Sequence, residues 1–256
     1  MLPILVSWGP IKIYSYGVFL ALGLFAGLYW WWKIGRDEHW DETTLFDSYF
    51  LALFGYFLSG RGVYVLMHGE LYSPIKAMAI LAYPGINVIA GLLGAWIVMF
   101  LLARKNGWEL WKVFDVVSVV CSTILMIAGV GAVLNGSNPG MPASWGIMYP
   151  GGSERRVPID IWALIWAMLS FVVVSRVRKY FRFYSWYKGE ASVAKDGLAG
   201  LIFVGLSGLY LAVAALLSSR TIVWGVAILL FAGCMIYLRS GKNRGEELLA
   251  KIRRRK

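Results

Sequence analysis

A chain of 256 residues that is 59% apolar and only 15% charged, with a mean hydropathy of +0.65, is not an ordinary soluble domain; such domains carry about a quarter charged residues. The net charge of +11 is strongly basic, yet lysine and arginine flank the apolar blocks, so anionic lipid headgroups rather than nucleic acid are the expected counterpart. The two cysteines, Cys121 and Cys234, lie inside apolar blocks and make neither a disulfide framework nor a metal-ligand pattern.

In chain order the apolar residues fall into seven blocks of about 20, the length that spans ~30 Å of hydrocarbon. They predict membrane-spanning helices over 13–32, 45–67, 85–102, 113–134, 159–174, 197–217 and 222–238. The first block is too long and too aromatic for a signal peptide, and no small-residue cleavage site follows it. The fold class expected is therefore an all-α polytopic membrane protein: a seven-helix domain over 1–238 and a basic tail over 239–256. Trp30, Trp31 and Trp32 close the first span, and Trp108, Trp111, Trp145, Trp186 and Tyr187 fall near other predicted interfaces, where aromatic belts sit. The connection 135–158 is rich in Gly, Pro, Asn and Ser and reads as an irregular external loop.

Orientation follows from the basic residues, because positively charged loops stay cytoplasmic. With seven spans, one side collects 19 of the lysines and arginines, including the tail from Arg239 to Lys256, and the other side five. The N-terminus is expected outside and the C-terminus inside.

Charge within hydrocarbon is costly and marks functional candidates. Asp47 and Asp115 lie near the inner ends of spans and suit hydrated or helix-start roles, and Asp160 opens the fifth span on the outer side. Arg61 lies within the second span, and Tyr64 and His68 follow at i+3 and i+7 on the same helical face. Two roles are open to its guanidinium: a bidentate grip on a lipid phosphate, or pairing with carbonyls of a neighbouring helix while Tyr64 and His68 serve as belt residues. Asn87, Asn135, Asn138, Arg155, Arg156 and Asp160 lie on the same external side. Asn87 also suits a helix-to-helix hydrogen bond, and Arg155 and Arg156 suit solvated loop charges. No nucleophile is paired with a base, and no metal-ligand spacing, phosphate loop, dinucleotide motif or cofactor motif is present. No span carries a proton-relay carboxylate of the kind transporters use.

These residues fall in motifs. Trp8-Gly9-Pro10-Ile11 leads into Tyr14-Ser15-Tyr16-Gly17; Gly60-Arg61-Gly62-Val63-Tyr64-Val65-Leu66 ends the second span; Pro84-Gly85-Ile86-Asn87 and Gly91-Leu92-Leu93-Gly94 mark the third; Asn135-Gly136 follows the fourth; Arg156-Val157-Pro158 precedes the fifth. In this order the chain resembles bacterial prolipoprotein diacylglyceryl transferases, which move the diacylglyceryl group of phosphatidylglycerol to the lipobox cysteine of a preprolipoprotein. The resemblance implies a seven-span fold in the bacterial inner (cytoplasmic) membrane, a phosphatidylglycerol-like phospholipid as ligand and a prolipoprotein signal peptide as partner. It implies a lipid-binding set of Tyr16, Arg61, Tyr64, Asn87, Asn135, Gly136 and Arg156. The departures are equally specific. The family's His-Gly-Gly falls on Ile89-Ala90-Gly91, its signature Arg, Asn and Glu on Gly129, Ala132 and Ser137, its sixth-span Arg and Glu on Tyr210 and Ala214, and the His of Arg-His-Pro on Val157. Two readings follow: a transferase with an altered site whose catalytic residues are unassigned, and a non-catalytic protein binding lipid or a membrane partner on the same scaffold.

Overall fold

The computed structural model describes residues 2–8, 11–79, 83–136, 138–149, 153–188, 196–218 and 221–239. Gly9, Pro10, Ser137, Lys195, Arg220 and the tail beyond Arg239 lie outside the described residues, as do the side chains of Arg182, Trp186, Tyr187 and Lys188. Among the described residues the chain runs β1 (Ile4–Trp8), β2 (Ile11–Tyr14), α1 (Ser15–Asp37), α2 (Glu42–Met67), a single 3-10 turn at Gly69–Leu71, then α3 (Pro74–Met78) and α4 (Val88–Lys105). It continues with α5 (Leu110–Asn135), β3 (Pro139–Met148), β4 (Arg155–Pro158), α6 (Ile159–Lys188), α7 (Leu198–Leu217) and α8 (Val223–Arg239).

Among the described residues six helices, α1, α2 and α4 to α7, are long and apolar enough to cross a membrane, and α8, at 17 residues, is a shorter apolar helix. Their outward faces carry large exposed apolar side chains such as Phe25 (72%), Phe54 (63%) and Leu101 (59%). Such surfaces would aggregate in water and suit lipid. The protein is an all-α, multi-pass membrane protein. The third helix begins at Val88 rather than at residue 85, because Asn87 caps it: its Oδ1 accepts the Ala90 N–H at 3.0 Å. The fifth long helix runs on through the basic residues to Lys188.

The chain divides into two compact units, Met1–Gly27 with Phe114–Lys256, and Leu28–Val113. In the first, β1 and β2 form an antiparallel hairpin ahead of α1, with Ser7 opposite Lys12 and Trp8 opposite Ile11. The Leu2 N–H donates to the Leu134 carbonyl at the end of α5 at 2.9 Å. The expected irregular loop at 135–158 instead holds a second antiparallel pair, with Pro139 opposite Pro158 and Met148 opposite Arg155. Pro142 and Ile147 both face Arg156, so the intervening residues bulge out of register. A two-stranded sheet is all edge, and it admits prolines that a central strand would reject.

Asp115 on α5 closes the start of α7: its carboxylate accepts the N–H of Gly197 at 2.7 Å and of Gly200 at 2.8 Å. The hydrated role is thereby replaced by capping of another helix. Asp47, in contrast, is exposed.

In the second unit α2 packs on α4 through small residues. A Cβ at Gly94 would lie 2.0 Å from Ser59 Oγ, and that hydroxyl donates to the Ala90 carbonyl at 3.0 Å. Trp31 and Trp108 depart from the expected belt. Trp31 is 2% exposed and donates from Nε1 to the Leu45 carbonyl at 2.9 Å. Trp40 stacks on Trp108 with centroids 4.5 Å apart, and Trp31 meets both rings. Trp31 and Trp108 are buried, because each meets the other indole and Trp40, and Trp31 also bonds α2.

Candidate functional site

In the second unit the polar residues of α2 meet the segment that leads into α4. Arg61 is 7% exposed, deep enough that each N–H needs an acceptor. Its Nε donates to the Ala77 carbonyl (2.8 Å), Nη1 to the carbonyls of Tyr83 (2.8 Å) and Gly85 (2.9 Å), and Nη2 to that of Lys76 (3.2 Å). Of the two roles open to Arg61, carbonyl pairing is thus the one present, although the acceptors come from the connection after α2 rather than from a neighbouring span. Tyr64 lies one turn on, its ring 5.6 Å from the guanidinium and stacked on the His68 imidazole at 4.2 Å. His68 Nδ1 is 2.9 Å from the Tyr64 carbonyl, which fixes the ring's orientation. Asn87 donates its backbone N–H to the Gly60 carbonyl at 3.0 Å, and its Nδ2 approaches the Met67 sulfur at 3.5 Å. Arg61, Tyr64, His68 and Asn87 therefore form one cluster at the C-terminal end of α2 and the start of α4.

In the first unit, Tyr16 is the second residue of α1, and its ring is 43% exposed. A Cβ at Gly131 of α5 would come within 3.0 Å of the Tyr16 Cα, so the start of α1 is pressed onto α5. Asn135 is the last residue of α5, and Gly136 ends that helix at φ 64, where a side chain would be strained. Asn138 then grips Asp160, which is 4% exposed at the start of α6: Nδ2 donates to Oδ1 at 2.8 Å and the backbone N–H to Oδ2 at 3.2 Å. Burial, with the Asp160 charge adding to it, pushes the Tyr149 phenol above its usual range. Arg155 and Arg156 are exposed, while Val157 beside them is fully buried.

The clasp between Asn138 and Asp160 and the cap between Asp115 and α7 are the polar contacts that sequence reasoning did not assign. One signal existed for the second. The α7 N-terminus has Gly197 at its cap position, with no side chain of its own to accept the first N–H groups, so an acceptor had to come from another element.

The family profile of prolipoprotein diacylglyceryl transferase matches residues 3–231. The chain belongs to that family. The phosphatidylglycerol–prolipoprotein diacylglyceryl transferase of Agrobacterium fabrum is 30% identical over 192 residues, covering 70% of this chain and 68% of the relative. That of Nitratidesulfovibrio vulgaris is 28% identical over 214 residues, 78% of this chain and 76% of the relative.

The positions where the sequence reading expects departures from the family motifs have definite surroundings. Ile89 is 73% exposed on α4. Gly129 lies against Leu164, and a Cβ there would be 3.2 Å from Leu164 Cδ1. Tyr210 stacks on Trp166 with centroids 4.8 Å apart, and Trp166 donates to the Leu206 carbonyl at 2.9 Å. Apolar packing holds Gly129 and Tyr210, Ile89 is exposed, and none of these side chains carries a charge.

Proposed function

We propose that this diacylglyceryl transferase family member acts on phosphatidylglycerol in a bacterial inner membrane, passing its diacylglyceryl group to the cysteine of a prolipoprotein signal peptide. The carrying observation is the family match over residues 3–231 on an all-α, multi-pass membrane fold. In such a transfer the thiol loses its proton, sulfur bonds to the glyceryl carbon, and the carbon–oxygen bond to phosphate breaks with the electron pair leaving on oxygen. The site must bind an anionic headgroup and orient the glyceryl carbon. On this reading the first unit contributes Tyr16, Asn135, Gly136 and Arg156 to lipid binding, and the second contributes Tyr64 and Asn87. Arg156 supplies an exposed cation, and Arg61 takes part from its buried place beside Tyr64. The N-terminus lies outside and the C-terminus inside.

A second reading has a specific observation behind it. Ile89, Gly129, Val157 and Tyr210 stand where the family motifs hold His and Arg, and losing one stabilising donor typically costs about 100- to 1000-fold in rate. On that reading the scaffold binds phosphatidylglycerol without transferring it. Purified protein in nanodiscs, given phosphatidylglycerol labelled in its diacylglyceryl group and a lipobox peptide, separates the two. Labelled peptide from wild type supports transfer. Bound phospholipid with no labelled peptide establishes binding alone and removes the transferase reading.

A further inference from the structure

We propose that Arg61 is a positioning residue: it acts by holding the connection between α2 and α4 in place, not as a ligand of the lipid phosphate. This inference deepens the lipid-handling reading above and rests on it for the identity of the ligand. Four of the five N–H bonds that a guanidinium offers go to backbone carbonyls, those of Lys76, Ala77, Tyr83 and Gly85. The acceptors come in two groups on either side of residues 80–82, so one side chain ties both stretches to the same turn of α2. Lys76 and Ala77 belong to α3, whose five residues leave carbonyls without helical partners. Tyr83 and Gly85 belong to the segment that delivers Asn87 to the head of α4.

Neighbouring contacts make the same connection rigid. A Cβ at Gly85 would lie 2.1 Å from Tyr64 Cζ, so the phenol ring is pressed flat against that glycine. Asn87 is fastened by its N–H to Gly60, the residue before Arg61. Gly60, Arg61 and Tyr64 thus hold residues 83–87 at three successive points. Among the described residues no carboxylate lies within ion-pair distance of Arg61, so carbonyl dipoles and the Tyr64 ring face its charge. The planar fork is what reaches four carbonyls at once. A lysine ammonium keeps the charge but has three donors at a single point. A phosphate would have to draw these N–H groups away from the four carbonyls they already bond.

A misplacement of about 1 Å in positioning groups can cost about 100-fold in rate, so the connection affects function through Tyr64 and Asn87. Three full-length variants in nanodiscs test this: Arg61→Ala, Arg61→Lys and Gly85→Ala. The readouts are amide hydrogen exchange and the phosphatidylglycerol retained per protein. We expect exchange at Ala77, Ala79, Tyr83 and Asn87 to quicken about tenfold or more in all three, while α5 to α8 stay protected. Retention of phosphatidylglycerol should fall together with that protection, as much for Arg61→Lys as for Arg61→Ala. Gly85→Ala, which removes no charge, should behave alike. Should Arg61→Ala not fold, Arg61→Lys and Gly85→Ala decide the question. Retention lost in Arg61→Ala but kept in Arg61→Lys, with exchange at those amides unchanged, makes Arg61 a direct phosphate ligand and overturns the proposal. Absence of peptide labelling by wild type would remove only the transferase reading, because exchange and lipid retention are measured without the peptide.

Discussion

At the scale of single residues, the charged side chains of Arg61 and Asp115 go to backbone groups. Asp115 is the clearest case after Arg61. Its two oxygens take two N–H groups at the start of α7, where Gly197 supplies no side chain. Losing such a cap typically costs about 1–2 kcal/mol. Asp115→Ala should therefore lower the thermal midpoint in detergent, and Asp115→Asn, which keeps one acceptor oxygen, should fall between it and wild type. Equal midpoints for all three would remove the capping role. Asp41 does the same at the head of α2, where the backbone N–H and hydroxyl of Thr44 both bond Oδ2 at 2.8 Å. These bonds hold its carboxyl below the usual carboxylate value. A depressed native pKa contributes stability above the unfolded value, and that contribution disappears as pH falls through the lower native one. The midpoint of Asp41→Asn should thus lie below wild type at neutral pH, with the gap closing as pH falls below the usual carboxylate range. A gap that persists in acid would assign the effect to something other than the carboxylate.

At the scale of elements, the long helices were legible because a span needs about 20 apolar residues and the blocks at 45–67, 113–134 and 197–217 supply them with at most two charged residues each. Their ends were less so. α4 starts at Val88 because Asn87 caps it, and the sequence marks that start only weakly after Pro84 and Gly85. The β3–β4 pair was not legible. Its prolines and glycines carry a turn composition, and its register slips at Arg156, so no alternation of apolar and polar residues marks it. Nor was the cluster of Trp31, Trp40 and Trp108, since an indole near a span end has the same composition whether it faces lipid or another indole. For the polar cluster, the face shared by Arg61, Tyr64 and His68 could be read from spacing, but the carbonyls that Arg61 meets could not, because any residue type supplies one. Packing of α7 on α8 gives a test at this scale. A Cβ at Gly225 would lie 2.4 Å from the Ala212 nitrogen and 2.7 Å from its Cα, so backbone would have to move. Overpacking of this kind typically costs about 1–3 kcal/mol. Gly225→Ala should lower the thermal midpoint, whereas Gly233→Ala, with open space at its Cβ, should leave it unchanged. The reverse order would mean that the two helices do not depend on close approach.

At the scale of the whole molecule, the open issue is how many times the chain crosses. Six helices meet the length and hydropathy needed, and α8 falls just short at 17 residues. Such a helix spans about 25 Å at ~1.5 Å per residue, a few ångströms less than the hydrocarbon. Mismatch of that size costs fractions of a kcal/mol per ångström and is met by local thinning of the bilayer. The α8 residues Leu230, Phe231, Tyr237 and Leu238 are exposed, and all are apolar or aromatic, as a lipid-facing helix requires. Parity makes the number of crossings measurable. With seven, the termini lie on opposite sides; with six, on the same side. The 19-to-5 division of lysine and arginine is obtained only with seven, and the positive-inside tendency then predicts an outside N-terminus. The test starts from a cysteine-free protein, Cys121→Ala with Cys234→Ala, and adds Leu5→Cys or Ala250→Cys separately. In intact cells a membrane-impermeant maleimide should label Leu5→Cys and spare Ala250→Cys until the membrane is opened. Labelling of both in intact cells would mean that α8 does not cross and that the basic tail lies outside. Labelling of Ala250→Cys alone would mean that the whole orientation is inverted, and it would put the arginine-rich side where positive charge is least favoured.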